Sequence, residues 1–419
     1  MPQIGRIDLA KYVYMLLMFL WCAYTGPFLK PFDKDYLFTS ILYILIYAFY
    51  YIHYCRNKKM YGLYLIMGVM AFWYIGQCVK CGGLTSIDFR LIYSVVLCHV
   101  SFYLYRGKEF FWYMEKVLVH LTILSLVVWG LGVVLSEPMR SLVSRISVWD
   151  NGSTTYGNMI LVALGNQYSS GILRNIGFTW EAGRFASFLV IGLFNNLIIH
   201  RFRLRNNKAF WIFVAGVLST LSTTGVGAAG GVFFMYLYNR SVKIKLALIV
   251  LCIIIFPSAF ALDFIGGKLS ETINVSQELH NMAYTFHVYN ADQITPQRFT
   301  GLYLDFLNWM HDFWFGYNLN ENSYAESVLF EGFSVWVSDG LINIFSKYGL
   351  FVGLLFYWNL FRSSAALSAD FGYKGKFFFA LIFMLISISY DFWSSAIMLH
   401  YVLYYLYTKR SSLVEINYC

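Results

Sequence analysis

Charged residues are scarce in this 419-residue chain. They make up 13% of the sequence, whereas about a quarter of a soluble globular domain is charged. Hydrophobic residues make up 59% and aromatic residues 20%. So little charge is atypical of a soluble domain of this length, and the composition therefore predicts a membrane protein.

Motifs for metal and nucleotide binding are also missing from the sequence. It contains no HExxH, no P-loop, no paired CxxC and no Asp-rich motif for a divalent metal. The single CxxC, from Cys78 to Cys81, has no second pair on its face to complete the four ligands of a zinc site. We therefore expect neither a metal ion nor a cofactor.

Long apolar runs recur along the whole chain. A helix needs about 20 apolar residues to cross roughly 30 Å of hydrocarbon, and twelve runs approach that length. Run length predicts an all-α polytopic bundle rather than a barrel, formed by one integral membrane domain over residues 1–419. The predicted spans are 12–29, 36–54, 61–79, 88–105, 117–135, 182–199, 209–223, 225–239, 244–262, 341–361, 377–391 and 393–408.

Basic residues are concentrated in alternate loops between these runs. Because Lys and Arg near span ends stay in the cytoplasm, this pattern predicts that both termini lie inside. The net charge of +9 therefore reflects topology and does not indicate a nucleic-acid partner. Two segments expected outside, 136–181 and 263–340, are too long to be simple connectors, so we expect them to form a catalytic and substrate-binding cap.

The second of these segments contains a pattern typical of an amphipathic helix. Thr295 can cap it, and Pro296 suits its first turn. Apolar residues then repeat at helical spacing, which favours a helix lying at the membrane interface. Its other face carries Arg298, Asp305 and Asp312, which a solvated polar face would also explain.

Arginines are unusual on the side expected to be outside, and these five stand there: Arg140, Arg145, Arg174, Arg184 and Arg298. A guanidinium group is well suited to bind phosphate oxygens, although any one of them could contact lipid headgroups instead. Lys347 is the seventh residue of the tenth run. A charge at that depth costs about 2.5–3.5 kcal/mol unless it faces a wet cavity or reaches the interface, so Lys347 is a candidate for lining a cavity.

Several further polar residues have both a structural and a functional interpretation. Glu181 could pair with Arg184 one turn on, or favour the start of its helix. Asp339 could cap the tenth run. The hydroxyls and glycines of 219–231 favour helix packing. His280, His287 and His311 have no common spacing pattern, although each could transfer a proton.

Four motifs in order resemble one family of membrane enzymes. They are "RNIGFTWEAGRFASFL", "LSTLSTTGVGAAGG", "RFTGLYLDFLNWMHDFWFGYN" and "SDGLINIFSKYGLFVGLL", all between residues 174 and 360. Their order and spacing are similar to those of the O-antigen polymerase and O-antigen ligase superfamily. The family usually has Glu-Pro-Gly where this chain has Glu181-Ala182-Gly183, a departure that leaves the acid in place.

The resemblance implies a GT-C type glycosyltransferase in the bacterial cytoplasmic membrane, with its active site facing the periplasm or exterior. Its substrates would be oligosaccharide repeat units linked to undecaprenyl diphosphate, and a flippase and a chain-length regulator would be its partners. By position, the resemblance implies that Arg174 and Arg298 bind the diphosphate, with Arg184, Lys347 and the hydroxyls of 222–224 as second choices. Glu181 is the leading candidate for the general base, followed by Asp339 and His311.

Two other functions stay open at this point. An O-antigen ligase of this superfamily typically carries a His-Asn pair before span ten, where this chain has Ser338-Asp339. A lipid-linked oligosaccharide flippase would have charges near the membrane midplane, whereas the unusual charges here crowd one edge. The sequence therefore favours a polymerase that makes O-antigen or capsule.

Overall fold

The computed structural model describes most of the chain with gaps. The described residues are 8–22, 37–55, 61–83, 89–146, 148–150, 155–159, 161–165, 168–169, 171–240, 293–294, 298–317, 323–329, 334–335, 340–388 and 390–416. Within them the protein is mostly helical with a few short strands. The predicted span 244–262, His280, His287 and Asp339 lie outside the described residues.

Helices dominate the fold because the sequence contains long apolar runs. Within lipid, a single run can satisfy all its backbone hydrogen bonds only by forming a helix. The α-helices are α1 Leu9–Cys22, α2 Leu37–Tyr50, α3 Tyr61–Cys81, α4 Phe89–Leu104, α5 Glu109–Ile146, α6 Ala182–Ile199, α7 Lys208–Ser219, α8 Thr223–Tyr238, α9 Arg298–His311, α10 Asn343–Phe371, α11 Phe378–Ser387 and α12 Ala396–Ile416. Short π-helical turns cover Tyr51–Cys55 and Ala325–Leu329, and a 3₁₀ turn covers Phe392–Ser394.

Four stretches of helix in the described residues are long and apolar enough to cross a membrane. They are Gly62–Cys81, Glu109–Leu135, Ala182–Ile199 and Asn343–Phe371. They identify the protein as a helical membrane protein. The span predicted at 182–199 coincides with α6, whereas α5 continues past 135 to Ile146, into a segment expected to lie outside the membrane.

Helix α6 lies at the centre of the bundle. Its apolar stretch is 94% buried, against 17% for that of α3. Phe185, Phe188 and Phe194 of α6 are completely buried. A helix that is apolar on all sides must be surrounded by protein, and α6 packs against α5, α7 and α8. The two ends of α6 are therefore fixed points from which neighbouring groups are positioned.

Short strands occupy much of the segment between α5 and α6, although the fold was predicted to be all-α. They are β1 Val148–Asp150, β2 Thr155–Met159, β3 Val162–Gly165, β4 Tyr168–Ser169 and β5 Ile172–Leu173. Strands β1, β2 and β3 form an antiparallel sheet. Val162 and Leu164 of β3 pack with Val128 of α5, so the apolar side of β3 fixes the sheet against that helix. Two further strands, β6 Gln293–Ile294 and β7 Ser334–Val335, pair in parallel.

A tight junction joins the end of α9 to the beginning of α10. Gly349 interrupts α10 with φ 76° and ψ −177°, and a Cβ there would lie 2.1 Å from the carbonyl oxygen of Trp314. Gly316 also has φ 76°, and a Cβ there would lie 2.4 Å from the carbonyl of Lys347. Glycine is needed at both positions because a side chain would strain the backbone and collide with it. The junction fixes the orientation of α9 relative to α10.

Candidate functional site

The beginning of α6 presents a carboxylate that does not cap its own helix. Glu181 is the N-cap residue of α6, with φ −140° and ψ 134°, and its side chain makes no capping hydrogen bond. The Oγ1 atom of Thr179 lies 2.8 Å from the carbonyl oxygen of Glu181 and holds the turn before the helix. The carboxylate of Glu181 is thereby free to face groups from other parts of the chain.

Glu181 pairs with an arginine 117 residues further along the chain. The Nη2 atom of Arg298, the first residue of α9, donates a hydrogen bond of 3.0 Å to Oε1 of Glu181. The side chains of Arg298 and Glu181 are 28% and 30% exposed, so a ligand can reach both. Two residues that the sequence analysis selected separately are therefore in direct contact.

Tyr390 completes the contact and was not predicted from the sequence. It lies in the non-helical link between α11 and α12, and its hydroxyl donates a short hydrogen bond to Oε1 of Glu181. The same hydroxyl accepts a hydrogen bond of 3.1 Å from Nη2 of Arg298. The guanidinium carbon of Arg298 lies 4.7 Å from the centre of the Tyr390 ring, within the range of a cation–π contact. We call Glu181, Arg298 and Tyr390 the outer triad, after the side of the membrane on which the sequence predicts them.

Burial and the neighbouring carboxylate keep the Tyr390 hydroxyl protonated. Burial raises the pKa of Tyr390 far above its usual value, and the Glu181 carboxylate raises it further. The positive charges of Arg298 and Arg174 lower the pKa of the same hydroxyl, but by less. The hydroxyl therefore remains a hydrogen-bond donor at neutral pH, and Arg174 is near enough to contribute to the electrostatics of the outer triad.

Two glycines leave the space that Tyr390 occupies. A Cβ at Gly183 would lie 2.3 Å from the Tyr390 hydroxyl oxygen. A Cβ at Gly340 would lie 2.2 Å from the carbonyl oxygen of Tyr390 and 2.7 Å from Cα of Asp391. The backbone nitrogen of Gly340 also donates a hydrogen bond of 2.7 Å to the carbonyl oxygen of Ser387. These close approaches fix both ends of Tyr390, the backbone and the hydroxyl.

Arg174 is held by its Nε atom, which donates a hydrogen bond of 2.9 Å to the carbonyl oxygen of Thr220. The next residue, Asn175, bonds through its side chain to Ser125 and Ser219. The two Nη atoms of Arg174 make no hydrogen bond to any residue that the structure describes. They are the donors that a bidentate phosphate contact requires.

The hydroxyl segment near Arg174 has a structural part in this arrangement. The side chain of Ser222 caps α8, accepting a hydrogen bond of 3.2 Å from the backbone nitrogen of Gly225. The carbonyl groups of Ser219 and Thr220 accept from the Arg174–Asn175 segment. The segment 219–231 therefore anchors the loop that carries Arg174.

Arg184 is enclosed, unlike the other two arginines. It is 3% exposed, and its guanidinium carbon lies 4.1 Å from the ring centre of Trp180 and 5.6 Å from that of Phe392. Its Nη1 atom lies 3.6 Å from Oδ1 of Asp391. Arg184 therefore pairs with Asp391, and Glu181 pairs with Arg298. The contact of Arg184 with Asp391 connects α6 to the link that carries Tyr390.

Lys347 and His311, two further residues selected from the sequence, each lie beside an aromatic ring. Lys347 stands in the short first part of α10, before the break at Gly349, and its Nζ atom lies 5.9 Å from the centre of the Trp393 ring. His311 ends α9, and at 1.5 Å per residue it is about 20 Å from Arg298. Its exposed ring stacks on that of Tyr324, with 4.6 Å between the ring centres.

The polar face of α9 turns inward, so its interpretation as a solvated face is wrong. Asp305 is 2% exposed, and its Oδ2 atom accepts a hydrogen bond of 2.8 Å from Asn343. Asp312 forms an ion pair with Lys80 of α3. The apolar face is the exposed one, and its stripe consists of Phe299, Tyr303, Phe306 and Met310. This inverted arrangement is typical of a helix that meets lipid on its outside.

Nothing in the described part of the chain forms a group of three His, Cys, Asp or Glu side chains that could hold a metal ion. No family model, curated protein or solved structure matches the chain.

The residues of the outer triad and Arg174 combine a carboxylate that can accept a proton with fixed cations that can bind an anion. Such a set suits acid–base chemistry on a substrate that carries phosphate.

Proposed function

We propose that this protein is a polysaccharide polymerase of the O-antigen polymerase type. It is a metal-independent GT-C glycosyltransferase with about twelve spans in the bacterial cytoplasmic membrane. It joins oligosaccharide repeat units carried on undecaprenyl diphosphate, at the face opposite the cytoplasm. The four apolar spans and the resemblance over residues 174–360 support this proposal.

One observation carries the proposal. Arg174, Glu181 and Arg298 are the residues to which the resemblance gives the diphosphate and the proton, and they come from segments far apart in the sequence. Glu181 and Arg298 are 3.0 Å apart, and the charges of Arg174 and Arg298 both act on Tyr390. The direct contact between Glu181 and Arg298 is unexpected for charges that merely contact lipid headgroups one by one.

The proposed reaction is a substitution at the anomeric carbon of the donor glycan. The bond from this carbon to the diphosphate oxygen breaks, and a bond to the acceptor hydroxyl oxygen forms. The hydroxyl proton passes to the Glu181 carboxylate. Arg174 and Arg298 stabilise the negative charge that develops on the leaving diphosphate, which is the main electrostatic demand of such a step. Every group required is then a protein side chain or part of a substrate.

The exposed surface near Arg298 supports a lipid-borne substrate. The apolar stripe of α9 continues through Trp314, whose ring centre lies 5.4 Å from that of Phe351 on α10. From there exposed apolar residues follow α10 as far as Trp358. Arg298 begins α9, so in this proposal it lies at the level of lipid headgroups, where the diphosphate of a prenyl carrier would also lie.

The proposal is tested in cells that lack the protein. A polymerase is needed only for chain growth, so we expect surface glycan that carries a single repeat unit. A ligase would instead be needed for any attachment, and a flippase for any export. Loss of even the single unit, with polymer accumulating on the carrier lipid, would contradict the proposal and favour a ligase. Accumulation of single units on the cytoplasmic side would favour a flippase.

A further inference from the structure

The outer triad places its carboxylate and its arginine in contact with each other. Oε1 of Glu181 accepts from both Arg298 and Tyr390. In the proposed reaction, however, Arg298 must face a diphosphate and Glu181 must face an acceptor hydroxyl. The Nη2 atom of Arg298 has two N–H groups, and both already donate, one to Glu181 and one to the Tyr390 hydroxyl, whereas a bidentate contact with phosphate uses an Nη2 hydrogen together with Nε or Nη1. The contact therefore has to be loosened during each reaction cycle.

We propose that the donor diphosphate competes with Glu181 for Arg298, and that this exchange of partners releases the carboxylate for the acceptor. The inference rests on the proposed function and adds an order of events to it. The donor binds first, draws Arg298 away, and thereby creates the group that the acceptor needs. The Oε1 atom of Glu181 already accepts hydrogen bonds from Arg298 and Tyr390, so loss of the bond from Arg298 leaves that oxygen able to accept one from the acceptor hydroxyl.

The geometry makes this exchange accessible. Both partners of the ion pair are more than a quarter exposed, and ion pairs in contact with solvent are weak. The charge of Arg174 also acts on the Tyr390 hydroxyl, and its two Nη atoms have no hydrogen-bond partner among the described residues. A diphosphate carries more negative charge than one carboxylate and can bond to both arginines at once, so it can replace Glu181 as the partner of Arg298.

Tyr390 is the positioning residue in this exchange. Its hydroxyl donates to the same Oε1 atom, and it is fixed by the close approach of Gly183 and Gly340. When Arg298 turns to the diphosphate, this bond keeps the Glu181 carboxylate from swinging into solvent. Tyr390→Phe should therefore raise the KM for the acceptor while leaving the Kd of the donor near that of the wild type. A merely structural role would change both together.

The decisive test measures the binding of farnesyl diphosphate, a short prenyl diphosphate probe, to the purified full-length protein in lipid nanodiscs. Removing the competing charge with Glu181→Gln should tighten binding by about two- to fivefold, the range expected for a solvent-exposed ion pair. Glu181→Asp, which keeps the charge on a shorter side chain, serves as a second variant. Its Kd for farnesyl diphosphate should lie between that of the wild type and that of Glu181→Gln. Asp312→Asn removes a charge at the far end of α9 and should leave the Kd unchanged.

The outcomes separate the two levels of the proposal. Tighter binding by Glu181→Gln but not by Asp312→Asn would support the exchange. Equal or weaker binding by Glu181→Gln, with clear binding by the wild type, would overturn the exchange and leave the proposed function in place. The absence of prenyl diphosphate binding to the wild type and all variants would overturn both.

Discussion

The close approach of Gly183 to Tyr390 leads to a quantitative prediction for Gly183→Ala. The new Cβ would lie 2.3 Å from the Tyr390 hydroxyl oxygen, so this oxygen must move by about 1 Å to reach ordinary contact distance. That displacement breaks its short hydrogen bond to Glu181. A hydrogen bond to a charged group contributes about 1.5–3 kcal/mol. If this energy orients the carboxylate in the transition state, activity should fall roughly ten- to hundredfold.

The assay is polymer formation by purified protein, with abundance and thermal stability measured in parallel. Gly227→Ala in α8 is the matched control, because a Cβ at Gly227 meets no atom within 4 Å. Both changes improve helix propensity by up to about 1 kcal/mol, so propensity cannot explain a difference between them. Wild-type activity of Gly183→Ala, or equal losses in the two variants, would refute the reasoning.

A double substitution tests the mechanism of the loss. Phenylalanine at position 390 lacks the oxygen that meets the new Cβ, and the nearest ring atoms lie 3.0 Å away. Adding Gly183→Ala to Tyr390→Phe should therefore lower activity little beyond the loss from Tyr390→Phe alone. Independent, multiplying losses would show that Gly183 acts on something other than the Tyr390 hydroxyl.

Three further predictions concern other parts of the molecule. Arg298→Lys should strongly lower polymer formation at normal abundance, because a point charge cannot replace the bidentate contact of a guanidinium with the diphosphate, whereas Arg205→Lys on an exposed turn should not. Equal turnover by the two purified variants would exclude this role of Arg298. A cysteine placed at Ser153 should react with an impermeant thiol reagent in cells with a permeable outer layer, and one at Asn206 should not; the reverse would overturn the topology. A hydrogen bond to a carboxylate raises the pKa of His200, so this contact stabilises the fold below pH 6.5 and is lost as the pH rises through the raised pKa. Thermal stability should fall across that window in the wild type and less so in His200→Gln, and equal pH dependence would contradict this.

The fold was predictable where one local property decides it. The run 182–199 matched α6 because a segment that is apolar on every side has to be buried in a bundle or in lipid. The repeat of apolar residues likewise predicted the helix α9. The burial of its polar face was not predictable, because the partner of Asp305, Asn343, lies 38 residues further along the chain. The strands between α5 and α6 are too short to show a clear alternation of apolar and polar residues.

The candidate site was predictable only in part. Glu181, Arg174 and Arg298 stood out because charges are rare in this chain and costly near a membrane. Their partners could not be assigned, since the helical spacing of Glu181 and Arg184 suggested a local pair, whereas the observed pair spans 117 residues. Tyr390 was missed because it ends an apolar run and tyrosine is common in this sequence. The adjacent Asp391, an acid at the end of that run, was the available signal.

The most direct test of the central claim is the reaction of the purified protein with defined oligosaccharide repeat units on undecaprenyl diphosphate. The account predicts a ladder of products that differ by one repeat unit, formed without added metal and accompanied by release of the free carrier diphosphate. Arg298→Lys, prepared in the same way, should form a much weaker ladder. If the folded wild-type protein binds these substrates but forms no glycosidic bond between them, the account is contradicted.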